Sequence, residues 1–257
     1  ATLGAFTKYP RKSILNKKSN HIKDKKFGFF HSQNSFFDEV ANELGMIDSN
    51  GSYMRHPLAF LVEAADDICY TLIDFEDGIN LGWISEEYAL EFLIRLVKDS
   101  IDTKKYNSLK HKTDRVAYLR ALSINTLIND TVKIFLKNED KILNGEFTKT
   151  LLSESVFKAQ MEDIIDISVK KVYNSKEVIE KELKGYQVIH KLLSVFIKAA
   201  VNNQSDNTTA LDDLVLASLP KTYIHKDGDL YNQLLDISCF VASLTDGNAL
   251  EWYNKIS

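Results

Sequence analysis

The chain has 257 residues, of which 44% are hydrophobic and 26% charged, and its formal net charge is −4. This composition is typical of a globular protein with a substantial core, and the charge gives no general case for nucleic-acid binding. Ten Gly and three Pro are too few for a barrel or sandwich with many turns.

Both cysteines, Cys69 and Cys239, lie in apolar helical patterns, so we expect inert core thiols. Because no apolar run of 18 residues and no signal peptide is found, we expect no membrane span and a cytoplasmic location.

Helical periodicity dominates from residue 34 onward and predicts a mainly α fold. The first predicted helix begins at Asn34 or Ser35 and ends at Gly45, and the second runs from Pro57 to Gly78 or Gly82. Further helices are predicted from Ser85 to Val97, from Asp114 to Phe135 and from Glu154 to Val172. Ser175–Ala200 is predicted to form one or two helices, and Tyr231–Ile256 is predicted to be helical with a break at Thr245–Gly247. Residues 202–209 are predicted to form a loop. The first twelve residues lack Met and resemble the last turns of a helix, so we expect a further N-terminal portion.

The helix over residues 56–78 carries an unusual concentration of negative charge. Residues 56–94 contain no Lys or Arg but nine carboxylates. At about 100° per residue, one arc of the helix holds Glu63, Asp66, Asp67, Tyr70, Asp74 and Asp77. Glu76 projects among the apolar positions instead. A solvated acidic face is the simpler alternative. Because the helix is apolar around most of its circumference, we expect it to be buried, and buried carboxylates need a cation, an Arg or hydrogen-bond donors. The pattern therefore favours a metal or a ligand.

Residues 8–26 have the opposite character. Eight Lys and Arg against Asp24 alone give this segment a charge of +7. A basic segment of this kind is either a solvated loop or a collector of phosphate groups, and the sequence leaves both alternatives open.

The string HPLAFLVEAADDICYTLIDFEDG (His56–Gly78) closely resembles the deoxyguanosine triphosphate triphosphohydrolases of the HD-domain superfamily. Five further blocks match in the same order: Leu3–Arg11, Lys25–Phe30, Tyr118–Asp130, Val178–Leu193 and Leu235–Leu250. The resemblance implies an all-α, HD-domain-like helical bundle, of which 1–257 is the C-terminal part. Residues 1–100 would complete the catalytic core and residues 101–257 would form a helical C-terminal region.

The same resemblance implies an activity and a set of site residues. Such enzymes hydrolyse dGTP or other dNTPs to the deoxynucleoside and inorganic triphosphate with a divalent metal. Asp66 matches a metal ligand, Tyr70 and Asp74 match residues at the sugar and its 3′-hydroxyl, and Lys8 and Tyr9 match a pair at the triphosphate. A carboxylate suits Mg²⁺ or Mn²⁺, whereas the family's imidazoles would also admit Zn²⁺ or Fe. Successive residues four apart rise about 6 Å along one helix face, a spacing that suits a phosphate followed by a sugar.

The family's remaining metal ligands, a His and an adjacent His-Asp pair, have no match here. None of the six histidines is followed by Asp. We therefore expect those ligands, and the family's His and Glu near the attacking water, in a preceding segment. On this interpretation the chain alone hydrolyses nothing.

The resemblance also implies a homo-oligomer, possible hexamers among relatives, and a regulatory nucleotide or single-stranded DNA as further partners. Two other functions stay open. The first is an HD-superfamily phosphohydrolase that acts on another nucleotide. The second is a nucleotide- or nucleic-acid-binding regulatory module, in which residues 8–26 dominate and affinity falls steeply with salt.

Three further residues have more than one possible role in the sequence. His56 precedes Pro57 at a helix start, where capping is favoured over metal ligation. Arg120 is expected either to pair with a buried carboxylate, such as Glu63 or Asp67, or to contact substrate. Thr245, which matches a family residue, is expected to cap a helix.

Overall fold

A computed structural model describes residues 1–13, 23, 25–223 and 229–256, and these residues form twelve α-helices and no strand. The helices are α1 (Thr2–Phe6), α2 (Asn34–Glu43), α3 (Pro57–Asn80), α4 (Glu86–Val97), α5 (Thr103–Ser108), α6 (Lys112–Lys137), α7 (Glu139–Leu143), α8 (Lys158–Ser168), α9 (Lys176–Gln204), α10 (Ala210–Ala217), α11 (Leu230–Ser243) and α12 (Asp246–Lys255). The predicted all-α fold is confirmed. Within the described ranges, no helix has both the length and the apolar character needed to cross a bilayer.

Local signals in the sequence set the two ends of α3. Pro57 occupies its first turn, where the missing N–H costs nothing. His56 caps the helix, since its Nδ1 accepts the N–H of Leu58 at 3.1 Å, so the predicted capping role is confirmed. Burial lowers the pKa of His56, which keeps the ring neutral and able to accept. Gly82 follows the helix with φ +78°, a conformation that favours glycine.

Other predicted boundaries shift by a few residues. The helix expected over 154–172 begins at Lys158 and continues beyond Ser168 as a π-helix, Val169–Tyr173. The loop expected at 202–209 is shorter because α9 is one continuous helix that ends at Gln204. The predicted break near 245 is confirmed, and Thr245 Oγ1 accepts the N–H of Asn248 at 3.4 Å as the cap of α12.

The chain divides into two compact units, Ala1–Ser175 and Lys176–Ser257. In the first unit, α3 packs against α6, α8 and α1, and α4 packs against α6 and α8. Its core includes fully buried Leu72, Phe75, Leu93, Leu119 and Ile164. In the second unit, α10, α11 and α12 pack against α9 around a second apolar cluster.

The expectation that α3 is buried around most of its circumference is wrong. One side faces the core, but the other side exposes the apolar residues Leu58, Val62 and Ile73. Cys69 lies on this exposed side, so its predicted place in the core is also wrong, and Cys239 is only partly buried. Hydropathy records how apolar a helix is, but it does not record which side the rest of the fold covers.

Candidate functional site

A buried carboxylate with two cationic partners lies one turn before Asp66 on α3. Glu63 is only 4% exposed. Its Oε1 lies 3.1 Å from Lys8 Nζ, and its Oε2 accepts from Arg55 Nη2 at 2.8 Å. The expectation that a buried carboxylate on this helix requires a cation or an Arg is met here. Both partners precede α3 in the sequence, which explains why residues 56–94 need no basic residue of their own.

Lys8 and Tyr9 follow α1, which packs against α3 and carries them to the edge of that helix. Lys8 Nζ lies 5.8 Å from the centre of the Tyr9 ring. Partial burial acts to lower the pKa of Lys8, but the hydrogen bond and the charge of Glu63 outweigh it and raise the pKa above its ordinary value. Lys8 therefore stays cationic at neutral pH and lies close enough to interact electrostatically with Asp67 as well.

The three residues expected to line up along α3 differ in their surroundings. Asp66 is exposed and has no ion pair among the described residues. Tyr70 is 59% exposed. Asp74 is half-buried, and its Oδ2 accepts a hydrogen bond of 2.5 Å from the Tyr173 hydroxyl. The Tyr70 ring lies 6.2 Å from the Tyr173 ring between centres. Tyr70, Asp74 and Tyr173 therefore form one cluster.

Sequence reasoning missed Tyr173. This residue ends the π-helix Val169–Tyr173, and an inserted residue of this kind leaves no periodic signal in the sequence. Burial raises the pKa of Tyr173, and the hydrogen bond to Asp74 raises it further, so the hydroxyl stays protonated and donates. Close packing supports the arrangement, because a Cβ added to Gly78 of α3 would lie 2.6 Å from Val172 Cγ2. Glycine at this position lets the π-helix approach α3.

A cavity of about 420 Å³ opens beside this cluster. Its volume falls in the range of small-molecule pockets, about 300–1,000 Å³. One wall comes from α3 and the rest from α8 with the segment before it. The lining residues are Asp67, Tyr70, Thr71, Thr150, Leu152, Ser153, Lys158, Met161, Glu162, Ile165, Ser168 and Tyr173. Ser168 is 2% exposed, and its Oγ has no hydrogen-bond partner among the described residues. The cavity therefore combines the apolar side chains of Leu152, Met161 and Ile165 with a larger number of polar and charged residues.

The described residues do not by themselves form a metal centre. Among residues 1–13, 23, 25–223 and 229–256, no three His, Cys, Asp or Glu side chains come together as metal ligands. Asp66 offers one exposed oxygen donor, and a single carboxylate does not hold a catalytic metal. Its assignment as a metal ligand stays a prediction.

Two other predictions have different outcomes. Arg120 Nε lies 2.9 Å from Glu76 Oε2, so the expected structural pairing with a carboxylate is found, but its partner is Glu76 and not Glu63 or Asp67. The ion pair joins α6 to α3 and satisfies the carboxylate that projects among apolar positions. Most of the basic segment 8–26 lies outside the described residues, so its two interpretations stay open.

Asp67 is the carboxylate on α3 whose charge the fold disfavours. Burial raises its pKa above the ordinary 3.8; the attraction of Lys8 opposes this, and the charges of Glu63 and Asp66 add to it. The folded state therefore favours protonated Asp67. The contribution of this protonation to the stability of the fold is complete below pH 3.8 and is lost as the pH rises through the folded pKa.

We expect Asp67→Asn to raise the melting temperature at pH 7, because the amide mimics the uncharged acid. The gain over the parent chain should shrink as the pH falls through the raised folded pKa of Asp67, and it should be absent below about pH 3.8, where the acid is protonated in both states. Thermal unfolding followed by circular dichroism between pH 3 and 8 measures this. Asp77→Asn, on the exposed side of the same helix, is the matched control. A similar gain in both variants would show that a general reduction of negative charge is the cause.

No family profile matches the chain. Curated proteins, however, match it along its whole length. A "Deoxyguanosinetriphosphate triphosphohydrolase-like protein" from Synechocystis is 32% identical over 263 residues, which cover 100% of this chain and 58% of that protein. Proteins of the same description from Listeria monocytogenes and Pseudomonas aeruginosa are each 30% identical over 100% of the chain and 59% of their own length. The chain thus spans less than two thirds of the relatives that it matches.

Proposed function

Because this chain belongs to the deoxyguanosinetriphosphate triphosphohydrolase family, we propose that it supplies the sugar- and phosphate-binding side of an enzyme that hydrolyses dGTP or other dNTPs. The products are the deoxynucleoside and inorganic triphosphate. The observation that carries the proposal is that Lys8 pairs with Glu63 of α3, while Tyr70 and Asp74 of the same helix cluster with Tyr173. Tyr70 and Tyr173 also line the 420 Å³ cavity.

Each of these side chains has a defined task in the proposal. Tyr173 donates to Asp74 Oδ2 and fixes the carboxylate, which leaves Oδ1 to accept the 3′-hydroxyl of the sugar. The exposed ring of Tyr70 packs against the deoxyribose. Lys8, cationic and about one-third exposed, offsets negative charge on the phosphates. The base enters the 420 Å³ cavity next to Tyr70.

Asp66 is proposed as one ligand of a divalent metal, with Mg²⁺ or Mn²⁺ favoured and Zn²⁺ or Fe as alternatives. Such a metal, when bound, supplies Lewis-acid polarisation of the phosphoryl group and lowers the pKa of the attacking water. The family's other ligands, a His and a His-Asp pair, are absent from this sequence. We therefore propose that the complete enzyme, a cytoplasmic homo-oligomer, is active only with a segment that carries them.

The test is product analysis with dGTP and Mg²⁺ or Mn²⁺. The purified chain alone should release no triphosphate, whereas the chain co-expressed with a segment carrying the family's His and His-Asp ligands should release tripolyphosphate, measured by phosphorus NMR. Asp66→Asn in the complemented protein should abolish release, and Asp99→Asn, an exposed carboxylate outside α3, should not.

Other products would contradict the proposal. Release of orthophosphate or pyrophosphate would favour a phosphohydrolase of the same superfamily with another reaction. Tripolyphosphate release by the purified chain alone would refute the assignment of Asp66 to a shared metal site.

A further inference from the structure

A second cavity, of about 210 Å³, lies beside the first turn of α3 and shares no lining residue with the cavity at Tyr70. Its wall includes Arg55 and Lys23, the aromatic rings of Phe60 and Phe147, and Asn144 at an exposed position. The proposed reaction does not use this cavity.

Arg55 has hydrogen-bonding capacity that the protein does not use. The residue is 6% exposed, and its guanidinium lies 4.2 Å above the Phe60 ring. Nη2 donates to Glu63, but Nε and Nη1 are buried without an acceptor among the described residues. These two nitrogens carry three N–H donors. Buried donors of a charged group are costly when unsatisfied, so the position calls for an acceptor that carries negative charge.

Lys23 adds a second cation to the same cavity. Its Nζ donates to the carbonyl oxygen of Tyr53 at 3.0 Å, which fixes the ammonium near the cavity wall and leaves two further N–H donors. Lys23 also belongs to the basic segment 8–26, for which phosphate binding is one of the open interpretations.

The one carboxylate in the cavity wall is already engaged. Asp48 Oδ1 accepts the backbone N–H groups of Asn50 at 2.8 Å and Ser52 at 2.9 Å. The hydrogen bond from Ser52 is the main cause that lowers the pKa of Asp48, so the group stays ionised. Glu63 is likewise shared between Arg55 and Lys8. The charged residues of the cavity wall are therefore Arg55, Lys23 and Asp48, and Asp48 already accepts two backbone N–H groups.

We propose that this cavity is an anion site that takes one phosphate-sized oxyanion, bound by Arg55 Nε and Nη1 and by Lys23 Nζ. The oxyanion is either inorganic phosphate or the terminal phosphate of a nucleotide. The volume of about 210 Å³ admits such a group but lies below the range of pockets that enclose a whole drug-sized ligand, about 300–1,000 Å³. Any nucleoside attached to it therefore extends outside.

Isothermal titration of the purified chain with potassium phosphate tests the site, with KCl adjusted to keep the ionic strength constant. We expect saturable binding of one phosphate. Lys23→Gln should weaken it about 10-fold or more, because it removes a charged donor. Arg55 variants are unsuited as the main test, because they also unpair Glu63. Lys176→Gln makes the same change of charge at a side chain that is 85% exposed, and should leave the affinity unchanged.

Two results would overturn the proposal: no saturable binding by the parent chain, or equal weakening by Lys23→Gln and Lys176→Gln, which would indicate unspecific attraction. A competition experiment distinguishes a nucleotide phosphate from free phosphate as the ligand. Displacement of the Lys23-dependent phosphate by guanosine monophosphate would identify a nucleotide, and failure to displace it would identify the free oxyanion. Neither reading depends on hydrolysis, so the outcome is separate from that of the proposed function.

Discussion

Replacing Glu63 by Gln is expected to lower the free energy of unfolding of the unit Ala1–Ser175 by about 3–5 kcal/mol. The amide keeps the shape of the side chain but removes the charge opposite Arg55, which is left buried and uncompensated. Lys8 is about one-third exposed, so the loss of its contact adds little. Urea denaturation of the parent chain and the variant, followed by circular dichroism, measures the difference.

The matched control is Glu91→Gln. Glu91 also pairs with an arginine, Arg95, but both side chains are more than half exposed. Its loss should cost at most about 1 kcal/mol, as surface pairs usually do. Equal costs at the two positions would contradict the buried character of the Glu63 pair.

A paired replacement separates charge from packing. Glu63→Leu combined with Arg55→Met should be less destabilising than Glu63→Leu alone, because neither charge then remains buried without a partner. Greater destabilisation of the double variant would show that the side chains contribute chiefly through their packing, including the contact of Arg55 with Phe60.

Asp74→Ala is expected to remove the preference of the nucleotide site for a 3′-hydroxyl. Hydrogen bonds to a charged group contribute about 1.5–3 kcal/mol, so the parent site should bind dGTP about 10-fold to 100-fold more tightly than the 2′,3′-dideoxy analogue. In the variant the two affinities should become nearly equal. Equilibrium binding measures both ratios in the complemented protein with Asp66→Asn, which should not hydrolyse dGTP.

Two further variants sharpen this test. Tyr173→Phe keeps the ring but removes the hydroxyl that fixes Asp74, so the ratio should fall only part of the way. Asp77→Ala, an exposed carboxylate on the same helix, should keep the parent ratio. If Asp74→Ala also keeps that ratio, Asp74 does not contact the 3′-hydroxyl.

Local chemistry in the sequence was sufficient to predict most of the helices. Pro57 and Gly82 bound α3, and Thr245 marks the break before α12. These signals act within a few residues, so they do not depend on the tertiary fold. The helix predicted over 154–172 shows the limit, because local signals indicated neither its start at Lys158 nor the change to π-helical hydrogen bonding at Val169.

The candidate site was predictable only in part for the same reason. The family resemblance predicted roles for Asp66, Tyr70 and Asp74 from one segment, but the contact between Asp74 and Tyr173 joins residues 99 positions apart. Nothing in local spacing encodes such a contact. The sequence did not indicate that Glu76 is the partner of Arg120, because helical periodicity gives the face of α3 on which an acid lies but not the element that faces it.

The π-helix Val169–Tyr173 makes the length of this segment as important as its composition. Deletion of a single residue there would restore α-helical winding and rotate the residues on its C-terminal side by about 100°. Tyr70, Asp74 and Tyr173 could then all be present in the sequence, although the Tyr173 hydroxyl would no longer reach Asp74. Relatives that differ by one insertion or deletion before residue 174 should therefore diverge in sugar selectivity more than their percentage identity suggests.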